Sequence, residues 1–212
     1  MALPGVMFAL LTWQVRDHGP LLRVDRSASH ALLHPDRFSE VLSDLGNVQV
    51  AVPVLVVVLV YVAWRGCRER VVRWWVAPVG GAGVMVVLPA VVVPLKEWVD
   101  RAGTAAVPPG GGYFPSGHTA TAVVAYGAAV LVVLPWVRTA PARRAVVAGG
   151  AVLVTAVSYG LVRRGYHWPL DVVASWCLGA VLLSLLVAVV RGVSRSRSRT
   201  SAGTAHQRSG PS

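Results

Sequence analysis

The chain has 212 residues, of which 55% are hydrophobic and only 14% are charged. This composition excludes an ordinary soluble domain, in which about a quarter of the residues are charged. The formal net charge of +11 would attract any polyanion, but the positions of the basic residues indicate a membrane protein and no nucleic-acid partner. Cys67 falls in a predicted loop and Cys177 in a predicted span, so no disulfide is expected.

Six apolar segments predict the membrane helices. The first, residues 2–15, is shorter than the roughly 17–25 residues that a helix needs to cross a bilayer, so it predicts a short or partial span. No cation precedes it, which argues against a cleaved signal peptide. We therefore expect an all-α, polytopic membrane helical bundle with about six transmembrane helices. The five longer segments span residues 48–64, 75–95, 119–137, 145–162 and 170–190, and Asp171, at the start of the last, is the one charged residue among them.

The basic residues are concentrated on one predicted side of the membrane. Three segments on that side hold twelve of the 20 basic residues but only Glu69 among the nine acids, which is the bias of cytoplasmic loops. The C-terminus is therefore predicted to be cytoplasmic, and the remaining loops to face the extracytoplasmic side of the cell membrane. The twelve are Arg65, Arg68, Arg70, Arg73, Arg138, Arg143, Arg144, Arg191, Arg195, Arg197, Arg199 and Arg208.

Outside the predicted spans, the sequence predicts one surface helix and a disordered C-terminal tail. Residues 16–47 hold four arginines and five acids, and they predict one helix on the membrane surface, with Pro35 in its first turn and Gly46 just past its end. Its apolar residues at helical spacing are Phe38, Val41, Leu42 and Leu45. Residues 1–191 are predicted to form the membrane domain, and residues 192–212 a basic, disordered tail that attracts anionic lipid headgroups.

Three short polar clusters share the predicted outer side, at residues 96–101, 115–118 and 163–171. Ser116 and Gly117 directly precede a span, so their backbone N–H groups lie at a helix N-terminus, where unpaired donors and the helix dipole bind phosphate. His118 would then point toward the same anion. A Pro-Ser-Gly sequence is equally typical of an ordinary helix start with the serine as its cap.

His167 and Asp171 are four residues apart at the start of the last span. A contact between the imidazole and the carboxylate would fix the tautomer and leave the opposite ring nitrogen free to act as a nucleophile. Alternatively, Asp171 stabilises the positive end of the helix dipole, and His167 and Trp168 are interfacial residues beside lipid headgroups.

Lys96 and Arg101 lie five residues apart at the end of another span. Two cations on one loop suit a phosphoryl group, because its charge is spread over the non-bridging oxygens. Snorkelling of Lys96, or pairing of both cations with Glu97 and Asp100, explains them equally well.

Together these residues resemble type 2 phosphatidic acid phosphatases, which share an active site with vanadium haloperoxidases. The resemblance covers roughly residues 40–190. The second motif of the family, Pro-Ser-Gly-His, is complete at residues 115–118, and the third keeps its final His-x-x-x-Asp as His167 and Asp171. The Ser-Arg that begins the third motif is replaced by Gly160 and Leu161.

The first motif is also incomplete. It keeps Lys96, but its Arg-Pro is replaced by Gly103 and Thr104, and Arg101 stands where many relatives have an additional arginine. For the missing arginine of the third motif, the nearby Arg163 and Arg164 are the predicted substitutes.

The resemblance implies a role for each residue. His167 would be the nucleophile that forms a phosphohistidine, Asp171 would orient it, and His118 would protonate the leaving alcohol. The implied enzyme is an integral membrane lipid phosphatase that needs no metal or other cofactor, because cations and N–H donors neutralise the transition state. The implied phosphate ligands are Lys96, Arg101, Ser116, Gly117, Arg164 and Arg163.

Several substrates and one other function class stay open. The partners expected are a lipid phosphate and membrane lipids; phosphatidic acid, phosphatidylglycerol phosphate and polyprenyl mono- or diphosphates all suit the site, with a prenyl diphosphate slightly favoured. The alternative is a catalytically impaired lipid-binding or scaffold protein of the same fold. A transporter is disfavoured because the predicted spans contain no ionisable relay, and a haloperoxidase because that chemistry needs vanadate. The oligomeric state is not predicted.

Overall fold

The structure, a computed structural model, describes the backbone of residues 2–207 and the side chains of residues 2–193. Within these residues the chain forms helices and no β-strand, which confirms the predicted all-α fold. A 3₁₀ turn at Leu134–Trp136 separates the sixth and seventh helices. The helices are α1 (Ala2–Arg16), α2 (Leu21–Leu32), α3 (Arg37–Asp44), α4 (Val48–Arg68), α5 (Val76–Val99), α6 (Gly117–Val133), α7 (Ala140–Arg163) and α8 (Pro169–Gln207).

Five of these helices, α4 to α8, are long and apolar enough to cross a membrane. They correspond to the five long segments predicted from the sequence. The α4, α7 and α8 helices contain their predicted segments, whereas α5 begins one residue after the predicted start and α6 ends four residues before the predicted end. The sixth predicted span is α1, which has only 15 residues and packs against α8. The predicted count of about six is therefore met by five full-length helices and one short helix in the described part of the chain.

The last helix is longer than the predicted span. Its backbone continues to Gln207, whereas the sequence predicts a disordered tail from residue 192. A helix satisfies its own backbone hydrogen bonds, so a polar extension of a membrane helix does not need a core to keep this conformation. Residues 208–212 of the predicted tail lie outside the described residues.

The α6 helix lies at the centre of the bundle and packs against α4, α5, α7 and α8. Its small side chains explain this position, because alanine lets neighbouring helix backbones approach closely inside a membrane protein. Four of its alanines have no exposed surface: Ala120, Ala122, Ala125 and Ala128. The start of α6, which carries the Pro-Ser-Gly-His sequence, is thereby held among all the other long helices.

The segment between α1 and α4 contains two helices where the sequence predicts one. The predicted helix is α3, and Pro35 precedes its N-cap residue, Asp36, instead of lying in its first turn. The other helix, α2, is not predicted, although Leu21, Val24 and Leu32 recur at helical spacing. These apolar residues are exposed, and the buried residues of α2 are Leu22, Asp25 and Ser29.

The α3 helix buries its serines and exposes its apolar residues. Ser39 and Ser43 are buried, whereas Phe38 and Val41 are 65% and 61% exposed on the outer side. The apolar side is therefore available to lipid, as predicted for a helix at the membrane surface.

A close contact between α3 and α7 fixes the position of this surface helix. An atom added at the Cβ position of Gly160 would lie 2.7 Å from both Ser39 O and Ser43 N, which are backbone atoms and cannot rotate away. Gly160 therefore allows the two helices to touch. Gly149, on the same helix, has open space at its Cβ position.

We expect Gly160→Ala to destabilise the protein and Gly149→Ala to leave it unchanged or more stable. The added methyl group at Gly160 pushes α3 away, an overpacking change that typically costs about 1–3 kcal/mol, whereas alanine in an open helix position gains up to about 1 kcal/mol over glycine. Thermal unfolding of both variants in detergent measures the difference. Equal melting temperatures would show that the contact between α3 and α7 does not contribute to stability.

Candidate active site

The N-termini of α6 and α8 lie side by side. Ser116 N donates to Asp171 O at 3.2 Å, and Ser175 Oγ lies 2.9 Å from Ser116 O and 2.8 Å from Asp171 O. The Ser116 side chain caps α6 by accepting from Thr119 N at 3.3 Å. These bonds bring the second and third sequence motifs, which are separated by about 50 residues of chain, to one end of the bundle.

His167 is held by the carboxylate of Asp171. Its Nδ1 lies 3.3 Å from Asp171 Oδ2, the ring is 6% exposed, and Asp171 is fully buried. Trp168 N also donates to Oδ2, at 3.1 Å. Since an ionised carboxylate only accepts hydrogen bonds, this geometry assigns the proton to Nδ1 and leaves Nε2 with a free lone pair. The predicted contact between His167 and Asp171 is therefore present.

The other oxygen of Asp171 accepts a hydrogen bond from Arg101 Nη1. Arg101 Nη2 donates to a second buried carboxylate, Asp25 of α2, whose Oδ1 accepts from Leu170 N at 2.8 Å. The guanidinium also lies 5.3 Å from the ring centre of Trp168. Burial raises the pKa of Asp25, and the hydrogen bond and charge of Arg101 oppose that rise.

Lys96, at the end of α5, is directed into the loop that leads to α6. Its Nζ donates to Gly112 O at 2.6 Å. Gly112 has φ +78°, a conformation that favours glycine, so the glycine-rich sequence here shapes the loop around the ammonium group. The next residue, Tyr113, places its ring edge-on against His167, with 6.1 Å between the ring centres.

A cavity of about 870 Å³ joins these groups. Its polar end is lined by Lys96, Gly112, Tyr113, Gly117, His118 and His167. Within the described residues, the backbone N–H groups of Gly117 and His118 have no acceptor, as expected in the first turn of a helix. The arrangement therefore offers an anion one ammonium group, two free N–H groups and two imidazoles.

The rest of the cavity is mainly apolar and runs along α4 and α5. Its apolar lining residues there are Val48, Val52, Met85, Leu88, Pro89, Val92 and Val93, and the polar residues Asn47, Gln49 and Thr121 also line the cavity. These residues lie in two helices that are mostly exposed on the outside of the bundle, since only 28% and 22% of their apolar windows are buried. The cavity thus connects the polar groups with the lipid-facing part of the protein.

The structure does not bring Arg163 and Arg164 to this cavity. Arg163 pairs with Asp36 at 3.0 Å, and Arg164 lies 2.9 Å from Tyr166 Oη and 3.6 Å from Glu40. Both face α3 and its N-terminal end. Successive helix residues are rotated by about 100°, so Arg163, two positions after Leu161, points to the opposite side of α7. Arg164 is the C-cap residue of α7 and pairs with Glu40 of α3.

Leu161, which replaces the motif arginine, is 1% exposed and packs in the apolar core with Leu55 and Val157. The displaced guanidinium that the sequence analysis predicts is therefore absent from the lining of the cavity. Arg101 and Ser116, two other predicted phosphate ligands, also lie outside that lining: Arg101 contacts the far side of Asp171, and Ser116 is buried as a cap.

Sequence reasoning missed three groups that the structure places around His167. Asp25 and Tyr113 are not at any motif position, and Trp168 contributes through its backbone N–H. The position of Tyr113 two residues before Pro115 is a weak signal that it is near the site. No sequence signal connects Asp25 with Arg101, because 76 residues separate them.

Comparisons with known proteins find one matching family and one similar fold. Residues 93–195, which include both histidines and Lys96, match the family model described as the PAP2 superfamily. The crystal structure of the first transmembrane PAP2 type phosphatidylglycerolphosphate phosphatase from Bacillus subtilis is similar in fold, with a TM-score of 0.73, 20% sequence identity, and coverage of 91% of this chain and 98% of that chain. None of the curated proteins compared with this chain has a matching sequence. The predicted family resemblance is therefore confirmed over residues 93–195, and the fold of the chain is similar to that of a transmembrane PAP2 type protein.

Proposed function

We propose that this chain hydrolyses the phosphate ester of a membrane lipid through a phosphohistidine on His167. One observation carries the proposal: His167, oriented by Asp171, shares a cavity with His118 and Lys96, and that cavity continues as an apolar groove. The polar end suits a phosphate group and the apolar end suits the chain of a lipid, so one molecule fills both.

The first step forms the phosphoenzyme. Nε2 of His167 attacks the phosphorus, the bond between phosphorus and the lipid oxygen breaks, and His118 gives a proton to the departing oxygen. Asp171 accepts a hydrogen bond from Nδ1 and stabilises the positive charge that develops on the ring. In the second step, water attacks the phosphohistidine, His118 accepts a proton from the water, and phosphate is released.

The phosphate oxygens would be held by Lys96 and by the N–H groups of Gly117 and His118. Lys96 Nζ lies beside the cavity on the carbonyl of Gly112, a position from which it reaches a bound anion by rotation about its flexible side chain. Fixed donors and a cation neutralise the transition-state charge without a metal ion, so a chelator should not change the rate.

The substrate class follows from the groove. A phosphate on a lipid headgroup reaches the histidines while an acyl or prenyl chain lies between α4 and α5. The structurally similar protein is by name a phosphatidylglycerolphosphate phosphatase. Phosphatidic acid, phosphatidylglycerol phosphate and polyprenyl diphosphates are therefore the substrates to test.

A lipid-binding protein without turnover is the second candidate. It is favoured by the two substitutions in the motifs, since Leu161 lies in the core and Gly103 offers no cation. Among the described residues that line the cavity, Lys96 is then the cation that remains for phosphate. The effect of His167→Ala on phosphate release separates the two functions.

We also infer that the histidines face the extracytoplasmic side and that the C-terminus is cytoplasmic. The three segments rich in arginine lie at the opposite end of the bundle from His118 and His167, because they follow α4, α6 and α8 while the histidines lie at the starts of α6 and α8. The positive-inside rule places such segments in the cytoplasm.

We expect His167→Ala to lower the rate of phosphate release from lipid phosphates about a thousandfold or more, because no other group replaces the nucleophile. His118→Ala should slow release by about 10²- to 10⁴-fold, the usual contribution of a general acid. Phosphate release from purified protein in detergent micelles, with and without a chelator, measures both effects. The control is His30→Ala, which removes an exposed histidine outside the cavity. Equal rates for wild type and His167→Ala would support the lipid-binding alternative.

We expect Val52→Phe to impair hydrolysis of long-chain substrates more than that of a short-chain or chainless phosphate ester. The larger ring narrows the apolar part of the cavity, where Val52 is part of the wall, and leaves the polar end intact. The matched control is Val57→Phe on the same helix, at a residue that is 68% exposed and outside the cavity lining. The ratio of kcat/KM between substrates of different chain length is the measurement, and an unchanged ratio would contradict lipid entry between α4 and α5.

Orientation can be tested by cysteine labelling in intact cells. With Cys177→Ser as background, Ala105→Cys combined with Cys67→Ser places one exposed thiol in the loop before α6, while native Cys67 places one at the other end. An impermeant thiol reagent should label position 105 in intact cells and Cys67 only after permeabilisation. The reverse pattern would invert the proposed topology.

A further inference from the structure

Asp25 is a buried carboxylate that the proposed reaction does not use. It lies on α2, in a part of the chain that precedes the family segment at residues 93–195. Its side chain has no exposed surface, and both of its oxygens are bonded: one accepts from Leu170 N at 2.8 Å, and the other from Arg101. Asp25 therefore joins the start of α8 to the loop that carries Arg101.

Arg101 is shared between two buried carboxylates. One terminal nitrogen donates to Asp171 and the other to Asp25, while the guanidinium lies against the Trp168 ring. Its side chain is 10% exposed and does not contribute to the lining of the cavity. The planar guanidinium suits this bridge, because its two terminal nitrogens are fixed relative to each other.

Two other pairs of an arginine and an acid in the same region are more exposed to solvent. The carboxylates of Asp36, paired with Arg163, and Glu40, paired with Arg164, are 42% and 51% exposed. Exposed pairs are screened by water and contribute little to structure. Asp25 and Asp171 are both 0% exposed, so each depends on its protein partners for compensation of its charge.

We propose that Asp25 is a positioning residue, which holds Arg101 against Asp171 so that Asp171 keeps His167 in the orientation and tautomer needed for attack. Arg101 then acts through Asp171 and not as a ligand of the phosphate. The proposal rests on the proposed phosphatase function. It makes α2 part of the active-site architecture, although no residue of α2 lines the cavity.

The chain of contacts explains why loss of Asp25 would reach His167. Without its second carboxylate, the guanidinium keeps a bond only at Nη1 and is free to rotate away from Asp171. Asp171 would then lose the donor on one oxygen and could rotate, which changes the position of the His167 ring. Displacement of a reacting group by about 1 Å is sufficient to lower a rate roughly 100-fold.

The test is a kinetic double-mutant cycle on the full-length protein. Asp25→Asn, Arg101→Gln and the double variant are assayed for kcat and KM with one lipid phosphate that the wild type hydrolyses. We expect each single variant to lower kcat by about 10- to 100-fold with little change in KM, and the double variant to be no worse than the single variants, because both changes break one bridge. Arg101→Lys should restore little activity, since an ammonium group cannot bridge two carboxylates in this geometry.

The control is Asp36→Asn, which breaks the exposed pair with Arg163 and should leave kcat unchanged. If Asp25→Asn does not fold, Arg101→Lys and Arg101→Gln still test the bridge through the split between kcat and KM. Activity of Asp25→Asn equal to that of Asp36→Asn would overturn the proposal, as would a higher KM at unchanged kcat in Arg101→Gln, which would indicate direct phosphate binding. A wild type that hydrolyses none of the lipid phosphates would instead refute the phosphatase function, and this proposal with it.

Discussion

The buried carboxylate of Asp171 is the group on which the arrangement of the site depends. Its side chain accepts from His167, Trp168 N and Arg101, and its backbone carbonyl accepts from Ser116 N. Loss of one partner of a buried charge typically destabilises a protein by about 3–5 kcal/mol, so the Asp171 carboxylate needs its partners to stay buried. Through them one residue fixes the start of α8, the start of α6 and the loop between α5 and α6.

The two ends of the cavity offer a ligand different kinds of surface. At the polar end, a cation and free backbone N–H groups provide fixed positive potential, which is strongest where the surrounding protein excludes water. At the other end, the valines of α4 and α5 offer only apolar surface. A molecule with both a phosphate and a hydrocarbon chain would be stabilised at both ends, which is the combination that the proposed hydrolysis of a lipid phosphate requires.

Close backbone contacts make this arrangement possible. The alanines of α6 allow the long helices to surround it, and Gly160 allows α3 to touch α7. The same contact has a chemical consequence, because Arg163 and Arg164 beyond Gly160 pair with acids next to and on α3 and not with a group in the cavity. The cationic charge around the proposed phosphate site is therefore smaller than the complete family motifs would provide.

Much of the fold could be predicted from the sequence because it depends on local properties. Apolar segments long enough to cross a bilayer predict helices wherever they occur. The short spacing of His167 and Asp171 predicts their contact, which the structure has between the residue two positions before α8 and the first turn of α8. The Pro-Ser-Gly-His sequence likewise predicts a helix start with free N–H groups, and the structure has it at Ser116.

The partners of Arg101 were decided only by the tertiary structure. Glu97 and Asp100 are close in sequence, yet the guanidinium binds Asp25 and Asp171, which are 76 and 70 residues away. The apolar spacing on α2 marks its exposed side, so the sequence pattern gives no sign that Asp25 and Ser29 are buried. Sequence by itself determines which segments are apolar and which residues are neighbours on a helix, whereas the partner of a buried charge depends on how helices distant in the chain pack together.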